Sequence, residues 1–538
     1  MSAETLAVMN KAISSSELQR FMDGCSTELL VFGCASSTEQ HSALSPLTAA
    51  KIGEIRPWSD GAARFALPRE PISLNRQLAG LSFPGRPREL LSTFELRDSA
   101  PNVEVIMAAN GRPTFVRVNQ GSCQVFLSGA RLPDIETPLS RDQGLEDYYD
   151  SLIPPLIFLR HCFRESCWHG PKTTARLIID DPLLSERYGS LDYSVLMKSM
   201  LRSQYGTSIA FIPWNHWRTS RQNASRLLGK SSNLAICIHG CDHTNREFET
   251  RAFARLDRKA GLALRRMESQ QKRTGATFEP VMVFPQGLFS KAAIPALRAN
   301  NYLAAVNTTC FPRDSSPDDL RVGDFLRPAV TRYNGFPIFQ RHYPRRIFDF
   351  AFDLFLGKPA LIVEHHEYFR DGCGALEDLV AELYKLEPAL SWPSLGAQLT
   401  RSCLQRSMSD GSVEVQFFTR RFELHGECVS GRYLLSKHEP DSESIHGVLV
   451  DGTSVQFSFE NGFLRLEVQV YPGQVRNVEI LDQEKPHEPL KSLGVLHNMG
   501  VLVRRGLSEF RDNTLVRHGR LLKIAKGIAK VLKATGDT

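Results

Sequence analysis

Ile178-Ile179-Asp180-Asp181-Pro182 and, further along, Ile236-Cys237-Ile238-His239-Gly240-Cys241-Asp242-His243 decide how this chain is read. In both, a short apolar run ends in acids or imidazoles. Such a run reads as a buried strand, and its end is where repeating β/α folds build their sites, because the loops there converge on one mouth. Adjacent carboxylates at a strand end point in different directions, so one can bind a metal while the other faces a substrate. A cation beside the pair lowers the cost of keeping both ionised. Asp181-Pro182 also suits the start of a turn. If Gly240 turns the chain into a helix, His239 and His243 stand four apart on one face and reach one cation. With Asp181 they would form a three-ligand divalent site with an open position for water. Asp242, between them, suits orienting an imidazole or capping the turn.

The surrounding segment, from 145 to about 400, alternates strands and helices. Strands are expected at Arg176–Ile179, Ser208–Ile212, Leu234–Ile238, Val281–Phe284, Leu303–Val306 and Leu361–Val363. Helices are expected at Leu191–Arg202, Ala254–Arg273 and Lys291–Asn300. This order implies parallel pairing with right-handed crossovers, and about seven such units suit a barrel better than an open sheet. The last strand ends in Glu364-His365-His366-Glu367, where a histidine, His366 ahead of His365, can be a general acid or a further ligand. Phe284-Pro285-Gln286-Gly287 reads as a tight loop whose Gln286 can bind substrate hydroxyls. Trp214, Asn215 and Trp217 follow another strand, and aromatic faces beside amides suit sugar rings.

Outside this segment the period changes. Residues 103–131 form a strand meander with turns at Asn110-Gly111 and Gln120-Gly121. Residues 411–482 alternate with period two, and Asp451-Gly452 and Asn461-Gly462 are strong hairpin turns. Leu521–Leu532 carries an apolar face and a face of Lys523, Lys526, Lys530 and Lys533, which reads as a basic amphipathic helix. The expected divisions are an N-terminal accessory region (1–145), a β/α barrel (146–402), an antiparallel β domain (403–490) and a basic helical tail (491–538).

A chain of 538 residues is too long for one core. Hydrophobic residues at 42% and charged residues at 23% are ordinary for a soluble protein, and no run approaches the ~20 apolar residues that span a bilayer. Met1–Ser16 lacks a basic stretch followed by a long apolar one, so no secretory signal is read. Eleven scattered cysteines fit a reducing cytoplasm. The net charge of +6 is concentrated between Arg504 and Lys533, and the near-neutral remainder gives no argument for nucleic acid. The tail suits peripheral contact with an anionic membrane surface.

In this order, the strings resemble the polysaccharide deacetylase family (the NodB-type homology domain), within the glycoside hydrolase/deacetylase β/α-barrel superfamily. Asp180-Asp181 matches that family's Asp pair, and His239-Gly240-Cys241-Asp242-His243 matches its two-histidine spacing. Pro285-Gln286-Gly287 and His365-His366 echo its Pro-x-Gly loop and its late catalytic histidine. The resemblance implies a distorted (β/α)7 barrel over roughly residues 150 to 400 of an α/β protein; the N-terminal β-rich or α/β accessory region and the C-terminal antiparallel β domain that flank it lie outside the resemblance. It also implies Asp180 as general base, Asp181, His239 and His243 as ligands of a divalent metal, and His365 or His366 as general acid. Pro182 replaces the family's glycine, Gly240 its hydroxyl residue and Val283-Phe284 its arginine, and no Asp-x-x-Asp-Trp element is found.

The function read from these residues is metal-dependent hydrolysis of an N-acetyl or other N-acyl group on a sugar or polysaccharide. Zinc is the default ion, because of the imidazoles. Trp214, Asn215 and Gln286 are the candidates for holding carbohydrate. The rivals are a glycoside hydrolase pairing Asp180 with Glu364 or Glu367, and a non-catalytic carbohydrate-binding or assembly protein.

Overall fold

Ala175–Asp180 (β1) is buried along its whole length, as expected of a parallel strand covered on both faces. Six further strands run parallel to it: Thr207–Phe211 (β2), Leu234–His239 (β3), Val281–Val283 (β4), Ala304–Asn307 (β5), Ile338–Gln340 (β6) and Ala360–His365 (β7). Their order is β6-β5-β4-β3-β2-β1-β7. The ends meet through His342, just past β6, which bridges Ile362 of β7. Its N–H donates to the Leu361 carbonyl and its carbonyl accepts from Val363 N–H, both at 2.9 Å. The seven strands thus form the nearly closed, distorted barrel that the resemblance implied. The computed structural model describes residues 1–12, 28–86, 91–97, 102–120, 123–229, 233–482 and 495–515.

Tyr193–Ser203 (α1), Arg221–Leu228 (α2), Phe253–Thr274 (α3) and Ala293–Ala299 (α4) follow β1 to β4 in turn, and Ile347–Leu356 (α5) precedes β7. Asp192 caps α1, accepting from the N–H groups of Ser194 and Val195 at 2.9 and 3.3 Å. No α-helix separates β5 from β6 among the described residues, one source of the distortion. At the N-terminal end of the strands the fully buried Arg176 donates to Ser208 Oγ at 3.0 Å and to the Pro393 carbonyl at 3.2 Å. Burial lowers its guanidinium to about 10.

Gly374–Leu386 (α6) and Leu395–Arg401 (α7) lead into the β-rich region. It has a five-stranded and a four-stranded sheet enclosing Val415, Phe417, Phe422, Leu435, Val448 and Leu466. Pairing is antiparallel except between Val413–Phe417 and Arg432–His438. These two run parallel because the strand between them in sequence, Arg421–His425, crosses to the other sheet. Asp451-Gly452 and Asn461-Gly462 have positive φ at both residues, the type I′ geometry expected of their hairpins. The barrel and this region share a buried ion-pair cluster. Lys437 lies 2.6 Å from Glu439, and Arg298 of α4 reaches the same carboxylate at 3.2 Å. Val495–Phe510 (α8) follows. The helix expected at Leu521–Leu532 lies outside the described residues.

Residues 1–169 with 317–326 form a separate unit. Its six-stranded sheet is mixed: Glu28–Phe32 runs parallel to Cys123–Ser128, and the other pairs are antiparallel. Helices Ala3–Ala12, Thr38–Leu47 and Tyr149–Phe163 make it α/β. Asn110-Gly111 makes the expected turn, with positive φ at both residues. Gly121, of the second expected turn, lies outside the described residues.

Candidate metal centre

β1 ends on Asp180, and Asp181 follows with φ +81°, a left-handed conformation that a short polar side chain tolerates. β3 ends on His239, and Gly240 follows with φ +62°. A Cβ at Gly240 would collide with the Pro285 ring and stand 2.7 Å from Glu247 Oε2, so the turn needs glycine. His243 is left-handed too, at φ +55°. The helix expected after Gly240 does not form: two left-handed bends, not helical spacing, bring the imidazoles together, with ring centroids 4.8 Å apart.

Glu247 holds this loop, and nothing in the sequence signals it. Its buried carboxylate accepts the backbone N–H groups of Cys241, Asp242 and His243 at 3.1, 2.9 and 3.0 Å. Lys259, from the buried face of α3, reaches the same carboxylate at 2.7 Å. Asp242 faces two cations of α3. It is fully buried against Lys259 at 3.3 Å and Arg266 at 2.7 Å. Cys241, Asp242 and Glu247 also lie at metal-ligand spacing. Their carboxylates are already taken up by an ammonium, a guanidinium and backbone donors, which explains the cluster without an ion.

Asp181, His239 and His243 bring three ligand atoms within 4.8 Å of one another. Asp181 Oδ1 stands 3.4 Å from His239 Nε2 and 3.1 Å from His243 Nε2. Neither contact is aligned as a hydrogen bond, so a buried carboxylate oxygen faces two ring nitrogens without a donor. His239 Nδ1 lies 3.1 Å from the Val283 carbonyl. A proton there leaves the Nε2 lone pair facing Asp181, the arrangement found behind metal-binding histidines. Burial pushes His243 down to about 4, with Arg505 adding to the effect, so its imidazole is neutral at pH 7. Burial opposes ionisation of Asp181, but the two imidazoles outweigh it and hold the carboxyl well below its usual range. An anionic oxygen and two imidazoles converging with one side open fit a tetrahedral divalent ion.

Asp180 is not free in this chamber. Arg341, one residue past β6, donates to both of its oxygens at 2.7 and 2.6 Å, and both side chains are buried. Burial works against the Asp180 anion, but Arg341 holds its carboxyl below the ordinary range. Arg341 thus supplies a guanidinium from β6, where the sequence lacked one beside the Pro285 loop. His365 is the register partner of Asp180, so the two side chains share one face of the β1–β7 ladder. Its ring stacks on Tyr343 at 6.4 Å. His366 is buried. It packs edge-on against Tyr188 at 5.3 Å, with Nε2 3.7 Å from Asp512 Oδ1.

Glu364, half-buried on β7, is pushed up to about 7, chiefly by burial. The folded state therefore holds its proton between the ordinary value of 4.5 and about 7, and stability falls as pH rises through that window. Glu364→Gln is expected to match the parent near pH 4 and to exceed it near pH 8 by about 1–2 kcal/mol, after discounting for solvent screening. Urea denaturation at the two pH values reads this directly, and an equal difference at both would refute it.

The inward face of α8 carries Val501, Arg505 and Glu509, spaced four apart, with Asp512 just beyond. Glu509 pairs with Arg218 (Nη2–Oε2 2.8 Å). Asp512 accepts from Tyr188 OH at 3.0 Å, and Asn513 Oδ1 from Gly189 N–H at 2.8 Å. These contacts place the chain's C-terminal region over the loops after β1 and β2, which sequence spacing does not signal. Trp214 lies in the loop after β2, its ring 4.9 Å from the Arg266 guanidinium. Asn215 beside it is fully buried, and its Nδ2 has no hydrogen-bond partner. Trp217 is exposed. Gln286, after β4, is exposed and accepts from Arg246 N–H at 3.3 Å.

No protein-family model and no curated protein matches the chain. Among solved structures it is similar to Agd3, described as a novel carbohydrate deacetylase, at 8% identity and a TM-score of 0.43, covering 87% of this chain and 88% of that one. It is also similar to a family 4 carbohydrate esterase from Streptomyces lividans, at 10% identity and a TM-score of 0.25, covering 41% and 91%. A third is BA3943, a CE4 family pseudoenzyme from Bacillus anthracis, at 10% identity and a TM-score of 0.26, covering 41% and 64%.

Proposed function

We propose that this protein is a metal-dependent hydrolase that removes N-acyl groups, N-acetyl first, from a sugar or polysaccharide. The convergence of Asp181, His239 and His243 carries the reading. Zinc suits one carboxylate and two imidazoles best. When bound, such an ion supplies polarisation of the acyl carbonyl and a more acidic water. Asp180, kept ionised by Arg341, retains lone pairs that its two hydrogen bonds do not use and accepts the proton of the attacking water. His365, on the same face as Asp180, gives a proton to the departing amine, with His366 as the alternative donor. Trp214, Asn215 and Gln286 are proposed to hold the carbohydrate.

The test combines zinc titration with acetate release from N-acetylated oligosaccharides. Zinc-dependent release is expected, lost on chelation and cut about 100-fold or more by His365→Gln. Activity that survives the chelator would favour the second reading, a glycoside hydrolase. Glu364, raised to about 7 near an ionised Asp180, supports that alternative, since such enzymes need two carboxyls with separated pKa values. Sugar binding with neither zinc nor turnover would leave a non-catalytic carbohydrate-binding protein.

The cytoplasm is the proposed location, with peripheral membrane contact. No helix among the described residues is long and apolar enough to cross a membrane. Met499, Leu502, Val503, Leu507 and Phe510 stand exposed on α8, ahead of the tail's lysines. An apolar stripe next to cationic side chains suits an anionic bilayer surface. Vesicles containing phosphatidylserine are expected to float the full chain and to lose it when Lys523, Lys526, Lys530 and Lys533 become Gln. Equal flotation would dismiss the contact.

A further inference from the structure

Arg505 is a buried cation that the proposed reaction leaves without a task. It sits on the inward face of α8, only 3% exposed. The Glu509–Arg218 and Asp512–Tyr188 contacts dock α8 over the loops after β1 and β2, the strands next to the candidate metal centre, and the Arg505 charge acts on Asp181 and His243. Neither Nε nor Nη2 has a hydrogen-bond partner. Those two nitrogens form one edge of the guanidinium, and their N–H bonds run parallel. Such an edge matches the two oxygens of a carboxylate. Arg420 uses the same edge within this molecule, donating from Nε and Nη2 to the two oxygens of Glu439 at 3.2 Å each.

A buried charged edge without acceptors is costly, and native chains keep one where something else supplies the acceptors. Other arginines nearby have a carboxylate on one edge: Arg341 grips Asp180, leaving only its Nε without a partner, Arg218 pairs with Glu509, and Arg511 donates to Asp512 at 2.7 Å. Arg505 alone among these presents an open bidentate edge beside an open three-ligand centre.

We propose that the Nε–Nη2 edge of Arg505 is a carboxylate-binding site of the chamber. The carboxylate has two chemical sources: the acid released by deacylation, or a uronic acid residue of the sugar chain. The first source rests on the hydrolase reading above. The second would make Arg505 a selector of acidic polysaccharide. In either case residues distant in sequence from the barrel strands complete the site, and α8 is part of it.

The experiment is an NMR titration of the full-length protein with sodium acetate and, separately, with sodium glucuronate, against sodium chloride at matched ionic strength. Wild type, Arg505→Lys and Arg505→Gln are compared, each with and without zinc. Millimolar binding is expected for the wild type, weakened about 10- to 100-fold by Arg505→Gln and partly restored by Arg505→Lys. Acetate dependence identifies the product acid, and glucuronate dependence the acidic sugar. Zinc affinity is expected to hold in Arg505→Lys and not to fall in Arg505→Gln, which removes a positive charge that acts on Asp181 and His243.

Thermal melts without added carboxylate separate ligand binding from scaffolding. Removing an unsatisfied buried edge is expected to leave Arg505→Gln at least as stable as the wild type. A lower melting temperature would mark Arg505 as structural and overturn the proposal. Equal carboxylate binding by wild type and Arg505→Gln would overturn it too, as would binding of neither probe. Carboxylate binding that depends on Arg505 in a protein that takes up no zinc would keep this site and remove the metal hydrolase instead.

Discussion

Asp181→Asn is expected to lower zinc affinity by more than about 100-fold, beyond the 10- to 100-fold typical of groups that only support a ligand. Acetate release should fall with it. The substitution is small in every other respect. Asparagine tolerates the left-handed backbone at this position, where φ is +81°, at least as well as aspartate does. The shape of the side chain is kept. What goes is the charge on the oxygen that faces both imidazoles without a hydrogen bond. Competition with a zinc-binding dye measures the affinity, and a circular dichroism melt confirms folding. A folded Asp181→Asn protein with parental zinc affinity would place the metal elsewhere or nowhere, and the proposed chemistry would fail with it.

Chelation at neutral pH tests the same centre without mutation. With His243 held neutral by burial, no proton has to leave that imidazole before it can serve as a ligand. Gly240 shows how narrow the local solution is. Its positive φ and its closeness to Pro285 let the chain leave β3 and return within four residues, and Glu247 closes the return by accepting three consecutive N–H groups. The ligand spacing was visible in sequence. The backbone path that exploits it was not, because Glu247 belongs to no motif and its partners are main-chain atoms.

The same division runs through the fold. β1, β3 and β7 were legible because buried parallel strands are apolar along their length and these end in ionisable residues. β6 was missed. It has only three residues, follows Pro337 and has no α-helix before it, so neither length nor alternation marks it. Arg341 was missed with it, although Ile338-Phe339-Gln340-Arg341-His342 repeats the pattern of an apolar run ending in charge. Arg505 and Asp512 were further out of reach. They come to the chamber by tertiary packing of α8, and residues this distant in sequence leave no periodic trace. The hairpin turns lie at the other extreme: Asp-Gly and Asn-Gly need no tertiary partner to adopt positive φ, and they did so as read.

Arg341→Met is expected to destabilise the protein by about 3–5 kcal/mol, the usual result of stranding one member of a buried ion pair. Asp180 and Arg341 are each 3% exposed and share two hydrogen bonds at 2.7 and 2.6 Å. Water therefore cannot take over for a lost partner. Asp180→Asn strands the guanidinium in the same way, while leaving Asp181, His239 and His243 in place. It is expected to keep zinc and to lose turnover by about 100- to 10,000-fold, the range associated with a positioned proton acceptor. In the double variant, Asp180→Asn with Arg341→Met, no charge is left unpaired, so its stability should recover relative to the sum of the single losses. Denaturant titration of the four proteins gives the coupling, expected to exceed about 1.5 kcal/mol. Additive losses would mean that the pair does not act as a unit, and Arg341 would then not be what keeps Asp180 ionised. Loss of zinc by Asp180→Asn would have a different meaning: Asp180 would be a ligand, and the proton of the attacking water would need another acceptor, with Glu364 the nearest candidate tuned close to neutral pH.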